Sequence, residues 1–272
     1  MQERSRDSFL RRLLRLLGEP GRLRKATLVR LRTLPFRLGL SSICPGTYIG
    51  YVPDRYSVNY DKYIAFGGVN RVGSAHKFYR GSEVNNRGDL SRFYFLCLAI
   101  DQIVKERLMG DVAELGVYKG NTASLLAQAA RQTGSTAYLL DTYEGFSQND
   151  LAGVDADKEV LFTDTSLEAV RSVVGGESLS FIKGHFPASI TQIPNNVLFK
   201  LVHIDCDLYG PTLAALHYFY PRLVPGGFLI THDYSGLSWG GAERAVDEFF
   251  ADKREKIIPI PDKSGTVVIR KV

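Results

Sequence analysis

Cysteine is scarce in this chain: Cys44, Cys97 and Cys206 are the only three in 272 residues. Three scattered cysteines exclude a disulfide scaffold and a cysteine-built zinc cluster, and they suit a reducing cytosol. No apolar run approaches the roughly 18 residues needed to cross a bilayer, which excludes a helical integral membrane protein. Internal repeats and low-complexity tracts are absent. What is present is ordinary globular composition, 44% hydrophobic and 23% charged, in a length that fits one large domain or two small ones.

Charge of one sign is also missing from most of the chain. Residues 1–40 carry eleven Lys/Arg against three Asp/Glu, whereas residues 41–272 carry 23 against 26. The formal net charge of +5 therefore comes from one end, and the acidic body argues against nucleic acid as a partner. Within residues 8–17, SFLRRLLRLL, the apolar side chains fall in an arc of about 160° on a helix and Arg11, Arg12 and Arg15 oppose them. Such a helix can lie in an anionic membrane interface, or it can pack on its own domain or on a second subunit. The arginines interrupting the apolar stretch, and the lack of an A-x-A-type cleavage site, disfavour a secretory signal. An Arg-rich transit peptide would look the same. The chain is thus expected in the cytoplasm, with peripheral membrane contact through residues 8–17 as one reading.

Residues 41–95 hold seven of the fourteen tyrosines with little sustained period. They are expected to form a cap that either lines a pocket for an amphipathic substrate or only packs on the core. From residue 90 the pattern becomes regular. Strand-like segments at 111–117, 136–141, 179–184, 200–207, 226–233, 256–261 and 265–272 alternate with helical ones at 90–108, 121–132, 166–174, 187–193, 211–221 and 241–252. Strands alternating with helices predict an α/β fold, a seven-stranded, mostly parallel sheet with helices on both faces and a closing hairpin that adds an antiparallel strand.

In such a sheet ligands sit beyond the carboxyl ends of the strands. The first strand leads into Glu114-Leu-Gly116-Val-Tyr118-Lys-Gly120-Asn121-Thr122, where glycines let backbone approach a ligand and the next helix offers free N–H groups. The spacing is G-x-x-x-G, not G-x-G-x-x-G, so a dinucleotide is disfavoured. Gly116 could equally be a packing glycine. Asp141, 25 residues beyond Gly116, stands at the second strand end, where an acid can accept both ribose hydroxyls of a nucleoside or merely cap a turn. The fourth strand ends in Asp205-Cys206-Asp207 and the fifth in His232-Asp233. Strand alternation puts Asp205 and Asp207 on one side. If the two strands are neighbours, these groups converge on one divalent ion, with oxygen ligands favouring Mg²⁺ and the histidine admitting Mn²⁺; otherwise they cap helices or turns.

These residues are familiar together. LVHIDCDLYGPTLAALHYFYPRLVPGGFLITHDYSG (201–236) and GGAERAVDEFF (240–250) closely resemble the TylF/MycF (macrocin O-methyltransferase) family. DVAELGVYKGNTASLL (111–126), LLDTYEGF (139–146) and KGHF (183–186) match its other blocks in order and spacing, and residues 1–90 carry much less of the likeness. The resemblance implies a Rossmann-like class I methyltransferase that uses S-adenosyl-L-methionine and a divalent metal to methylate a sugar or phenol hydroxyl. By motif position, Glu114, Gly116, Tyr118, Gly120, Asn121 and Thr122 would surround the methionine end of the cofactor. Asp141 would hold the ribose, and Gly184 and His185 would flank the adenine. Asp205, His232 and Asp233 would be metal ligands, although relatives commonly have Asp-Asp where this chain has His232-Asp233. Asp205 would also be the general base, with His232 or His185 in reserve. The expected organisation is a basic extension at 1–40, a lid at 41–95 and a methyltransferase domain at 96–272. The acceptor is expected to be a small molecule or glycan, on a self-associating enzyme. A phenolic acceptor, or an inactive cofactor-binding scaffold left by the loss of a metal ligand, is the alternative.

Overall fold

The protein is described by a computed structural model over residues 90–272, apart from 237 and 263. The basic extension, the amphipathic segment at 8–17 and nearly all of the Tyr-rich cap lie outside the described residues. No described helix is long and apolar enough to cross a membrane.

Helix α1 (Leu90–Glu106) precedes strand β1 (Asp111–Leu115), and it crosses the boundary expected at 95/96. There follow α2 (Asn121–Thr133), β2 (Ala137–Asp141), α3 (Leu167–Val174), β3 (Leu179–Lys183) and β4 (Phe199–Ile204). The chain closes with α4 (Tyr209–Phe219), β5 (Leu223–Thr231), α5 (Gly240–Phe250), β6 (Ile258–Ile260) and β7 (Thr266–Arg270). The seven strands form one sheet in the order β3-β2-β1-β4-β5-β7-β6. The first five are parallel, and β7 runs antiparallel between β5 and β6.

β1, β2 and β4 are buried along nearly their whole length, which is why they read as apolar runs without alternation. One face of the sheet packs Val202, Ile204 and Leu229 against Leu216 and Phe219 of α4 and Val246 and Phe249 of α5. α2 is almost entirely buried but belongs to the other layer, against β1 and β2 and beside α1 and α3. The segment expected to be helical at 187–193 is a short 3₁₀ helix, Ala188–Gln192, held by i to i+3 bonds such as Ile190 N–H to Pro187 O at 3.1 Å.

Connections leave β1 in one direction toward β2 and β3, and the chain then returns to the other side of β1 for β4 and β5. The order thus reverses between β1 and β4, which places the ligand crevice beyond their carboxyl ends. Buried Asp155 ties together the starts of two helices beside β4 and β5. Its Oδ2 accepts from Tyr209 N at the start of α4, and its Oδ1 lies where a Cβ on Gly241, at the start of α5, would come within 2.3 Å.

Candidate active site

A cavity of about 310 Å³ opens at this switch point, within the range of small-molecule sites. Every expected site residue lines it except Gly120. Gly120 begins α2 at φ +80, and a Cβ there would come within 2.7 Å of Val174 on α3, so it serves the turn and the helix packing. Gly116 is a packing glycine that also borders the cavity. It lines the cavity at φ +89, and a Cβ on it would sit 1.8 Å from the carbonyl oxygen of Asp205.

Asp141 ends β2 and is already engaged by the chain. Its Oδ2 accepts from Val117 N at 2.6 Å and Tyr118 N at 2.9 Å, and its Oδ1 from Tyr143 N at 2.6 Å. The carboxylate, which also accepts from Thr142 Oγ1 at 3.4 Å, therefore staples the glycine loop to β2 while lining the cavity. The capping reading of this acid is real, and a ribose would share it.

Around the glycine loop, polar atoms are buried without partners among the described residues. Glu114 is 1% exposed; His203, opposite it in the β1–β4 register, approaches its Oε1 with Nδ1 at 3.0 Å, while Oε2 has no partner. Burial, and then the charge of Asp205, push the Glu114 carboxyl well above its usual range, and burial lowers His203 to about 3. Asn121 opens α2 with both amide atoms unpartnered, and that helix has no side-chain cap. An acid, an amide and an open helix N-terminus together suit a zwitterionic amino-acid group.

Beyond β4 and β5 lie the acids. Asp205 N–H donates to Leu115 O at 2.8 Å and His232 N–H to Ile204 O at 2.9 Å, which fixes both residues at neighbouring strand ends. His232 Nδ1 stands 3.0 Å from Asp205 Oδ1 and 2.9 Å from Asp233 Oδ2. Asp205 Oδ2 takes a 2.6 Å bond from Nη1 of Arg92, a residue of α1 that is 1% exposed. Burial alone would raise Asp205, but His232 and Arg92 overcome it and hold the carboxyl well below the usual range. Burial and Arg92 oppose the His232 charge, yet Asp205 and Asp233 prevail and raise it to about 9. One ligand atom from each of Asp205, His232 and Asp233 can be chosen so that all lie within 4.8 Å of one another. This N,O,O set fits a divalent ion, and its imidazole suits Mn²⁺ or another transition ion better than Mg²⁺.

Three features of the site were missed or misplaced by sequence reasoning. Arg92 lies 113 residues from Asp205 and reaches it only through the packing of α1. Asp207 was expected beside Asp205 by strand alternation, but β4 stops at Ile204 and Asp207 adopts φ +62, so that argument does not hold. It still lines the cavity, with its carboxyl pushed well above the usual range by burial and then by Asp233. The third feature is an aromatic wall: Phe146 stands 5.2 Å from Phe162 and 6.0 Å from Trp239, ring centre to centre, and all three line the cavity. Phe146 belongs to a block the sequence singles out, but its partners come from other loops. Gly184 and His185 also line the cavity, and His185 Nδ1 lies 3.3 Å from Asp150 Oδ1.

A family model described as macrocin-O-methyltransferase (TylF) matches residues 89–262. The chain is 28% identical over 160 residues to the 8-demethyl-8-(2,3-dimethoxy-alpha-L-rhamnosyl)-tetracenomycin-C 4'-O-methyltransferase of Streptomyces olivaceus, which covers 54% of this chain and 61% of that one. It is 29% identical over 151 residues to the mycinamicin III 3''-O-methyltransferase of Micromonospora griseorubida, with 50% and 59% covered. The chain thus spans about three fifths of the length of these curated relatives. Among solved structures the O-methyltransferase NovP matches with a TM-score of 0.61 at 21% identity, over 80% of this chain and 99% of that one, a likeness of fold.

Proposed function

The chain belongs to the macrocin O-methyltransferase (TylF) family, and on that premise we propose that it moves the methyl group of S-adenosyl-L-methionine to a sugar hydroxyl of a small glycoside or glycan. The observation that carries this reading is the presence, in one cavity, of the unpartnered Glu114 Oε2 and Asn121 amide together with the Asp205, His232 and Asp233 cluster. The acid and amide suit the ammonium and carboxylate of the cofactor's methionine. Asp141 lies within the same wall for the ribose, and Gly184 and His185 for the adenine. The names of the two relatives, one acting on a rhamnosyl tetracenomycin and one on mycinamicin III, favour a glycosylated natural product. The aromatic wall of Phe146, Phe162 and Trp239 offers the apolar surface that an aglycone or the C–H face of a sugar needs.

In the transfer, the acceptor oxygen attacks the sulfonium methyl in line; a C–O bond forms, the C–S bond breaks, and the acceptor proton must leave. Most of the acceleration is positioning. Asp205, His232 and Asp233 would hold a divalent ion, which when bound lowers the pKa of the acceptor hydroxyl and orients it. Asp205, kept ionised against burial by His232 and Arg92, is the group on the cavity wall that receives the proton. His232, raised against burial to about 9 by Asp205 and Asp233, is already protonated near neutral pH, and as a metal ligand its nitrogen would be engaged, so it stands only in reserve. Asp205 as the base, with His232 or His185 in reserve, stands as part of this proposal.

Incubation with methyl-labelled S-adenosylmethionine and a panel of deoxysugar glycosides and simple phenols tests this reading. Labelled glycoside is expected. Preferential labelling of phenols would move the acceptor class, and tight S-adenosylhomocysteine binding with no turnover on any acceptor would make the chain a binding protein instead. We retain two further proposals that lie outside the described residues: self-association, and contact of residues 8–17 with anionic membranes from the cytoplasmic side. Sedimentation with phosphatidylserine vesicles, compared with a chain lacking residues 1–18, tests the latter.

A further inference from the structure

We propose that His203 is a positioning residue for the cofactor's ammonium group: its Nδ1–H donates to Glu114 Oε1 and leaves Oε2 aimed into the cavity as the acceptor for that group. The inference rests on the cofactor reading above and goes beyond it, because His203 does not line the cavity.

The geometry is set by the sheet. Glu114 on β1 and His203 on β4 are direct partners in the parallel register, so their side chains leave the same face side by side. The imidazole is fully buried, and the carboxyl is 1% exposed. Nδ1 and Oε1 are 3.0 Å apart, a full hydrogen bond. Burial raises Glu114, Asp205 and Asp141 add to it and Arg92 opposes it, so charged groups surround this carboxyl. A carboxyl free to rotate there would turn away from the cavity. One donor behind it fixes its plane and satisfies one oxygen. The other, buried and unpartnered, is then available to a ligand cation. A buried oxygen without a partner is costly unless a ligand satisfies it.

The test compares two ligands that differ in this one group. S-adenosylhomocysteine carries the amino-acid end, and 5'-methylthioadenosine lacks it. Calorimetry on the wild-type chain and on His203→Leu is expected to show S-adenosylhomocysteine weakened tenfold or more, with methylthioadenosine changed less than twofold. His203→Asn, whose Nδ2 reaches the position of the imidazole Nδ1, should restore binding to within about threefold. In a Glu114→Gln background the leucine substitution should have no further selective effect. Equal weakening of both ligands, or undiminished S-adenosylhomocysteine binding in His203→Leu, would overturn the proposal. Should the leucine chain not fold, ¹⁵N spectra of the five histidines in the S-adenosylhomocysteine complex decide, with His203 assigned by its loss in His203→Asn. The Nδ1–H tautomer is expected, and the Nε2–H tautomer would overturn the idea. If neither ligand binds the wild-type chain, it is the cofactor reading that has failed.

Discussion

Gly116→Ala tests whether the ends of β1 and β4 must touch for the site to exist. At φ +89 an alanine is strained by about 1–2 kcal/mol before any contact is counted. The new methyl would also stand 1.8 Å from the Asp205 carbonyl oxygen and 2.6 Å from its carbon, both backbone atoms that no rotamer change can move. Restoring an ordinary contact of 3.4 Å from 1.8 Å drives the two strand ends apart by roughly 1.6 Å, against the close packing of the sheet core. Strain and overpacking together should cost about 3–4 kcal/mol, or about 10 °C in melting temperature for a domain of this size. The displacement carries the glycine loop and Glu114 away from Asp205 and His203. Misplacements of about 1 Å cost about 100-fold in well-positioned reactions, so turnover and S-adenosylhomocysteine affinity should both fall by that order. Gly134→Ala is the control. It also has a positive φ, +62, but no atom lies within 4 Å of its Cβ, so it should lose about 1 kcal/mol and leave affinity unchanged. Calorimetric melting and titration with S-adenosylhomocysteine read both quantities. A Gly116→Ala chain that binds within twofold of wild type would refute the reasoning.

Arg92→Met removes the buried guanidinium from Asp205 and leaves its carboxylate short of compensation beside Asp207 and Asp233, so scanning calorimetry should show a loss of about 3–5 kcal/mol; an unchanged melting temperature would count against the ion pair. Burial pushes Glu255 up, but Lys271, Tyr220 and the Val272 N–H overcome it and hold the carboxyl at about 2. A folded-state pKa below the unfolded one contributes stability that is present above pH about 4.5 and lost as the pH falls toward about 2. For a side chain 3% exposed this amounts to about 2–3 kcal/mol. Urea unfolding of Glu255→Gln should therefore show a deficit at pH 7 that narrows by pH 3, and a constant deficit would contradict it. His232→Asp exchanges the nitrogen donor for oxygen, so the ratio of Mn²⁺ to Mg²⁺ affinity by calorimetry should fall at least several-fold; a ratio that stays put would remove His232 from the ligand set.

What could be read from the sequence follows from how far apart the cooperating residues are. β1, β2 and β4 were legible because strands buried on both faces are apolar throughout, and that signal is local. β5 was legible only from residue 226, because Pro225-Gly226-Gly227 reads as a turn; instead Gly226, at φ +80, keeps the strand going and its N–H bonds to Lys271 O at 2.7 Å. That partner is 45 residues away, and no window of sequence contains it. The strand-end acids were legible as chemistry but not as geometry. Alternation grouped Asp205 with Asp207, yet the strand ends before either, and the partners Asp205 acquires are His232 from β5 and Arg92 from α1. The same limit explains His203. As a lone histidine in an apolar strand it has no meaning until β1 and β4 are known to be neighbours in a register that pairs it with Glu114. Local pattern, then, names residues that line the cavity, because polar and acidic types stand out at the ends of apolar strands. The residues that aim them, Arg92 and His203, are selected by the sheet and helix packing, and only the fold makes them visible.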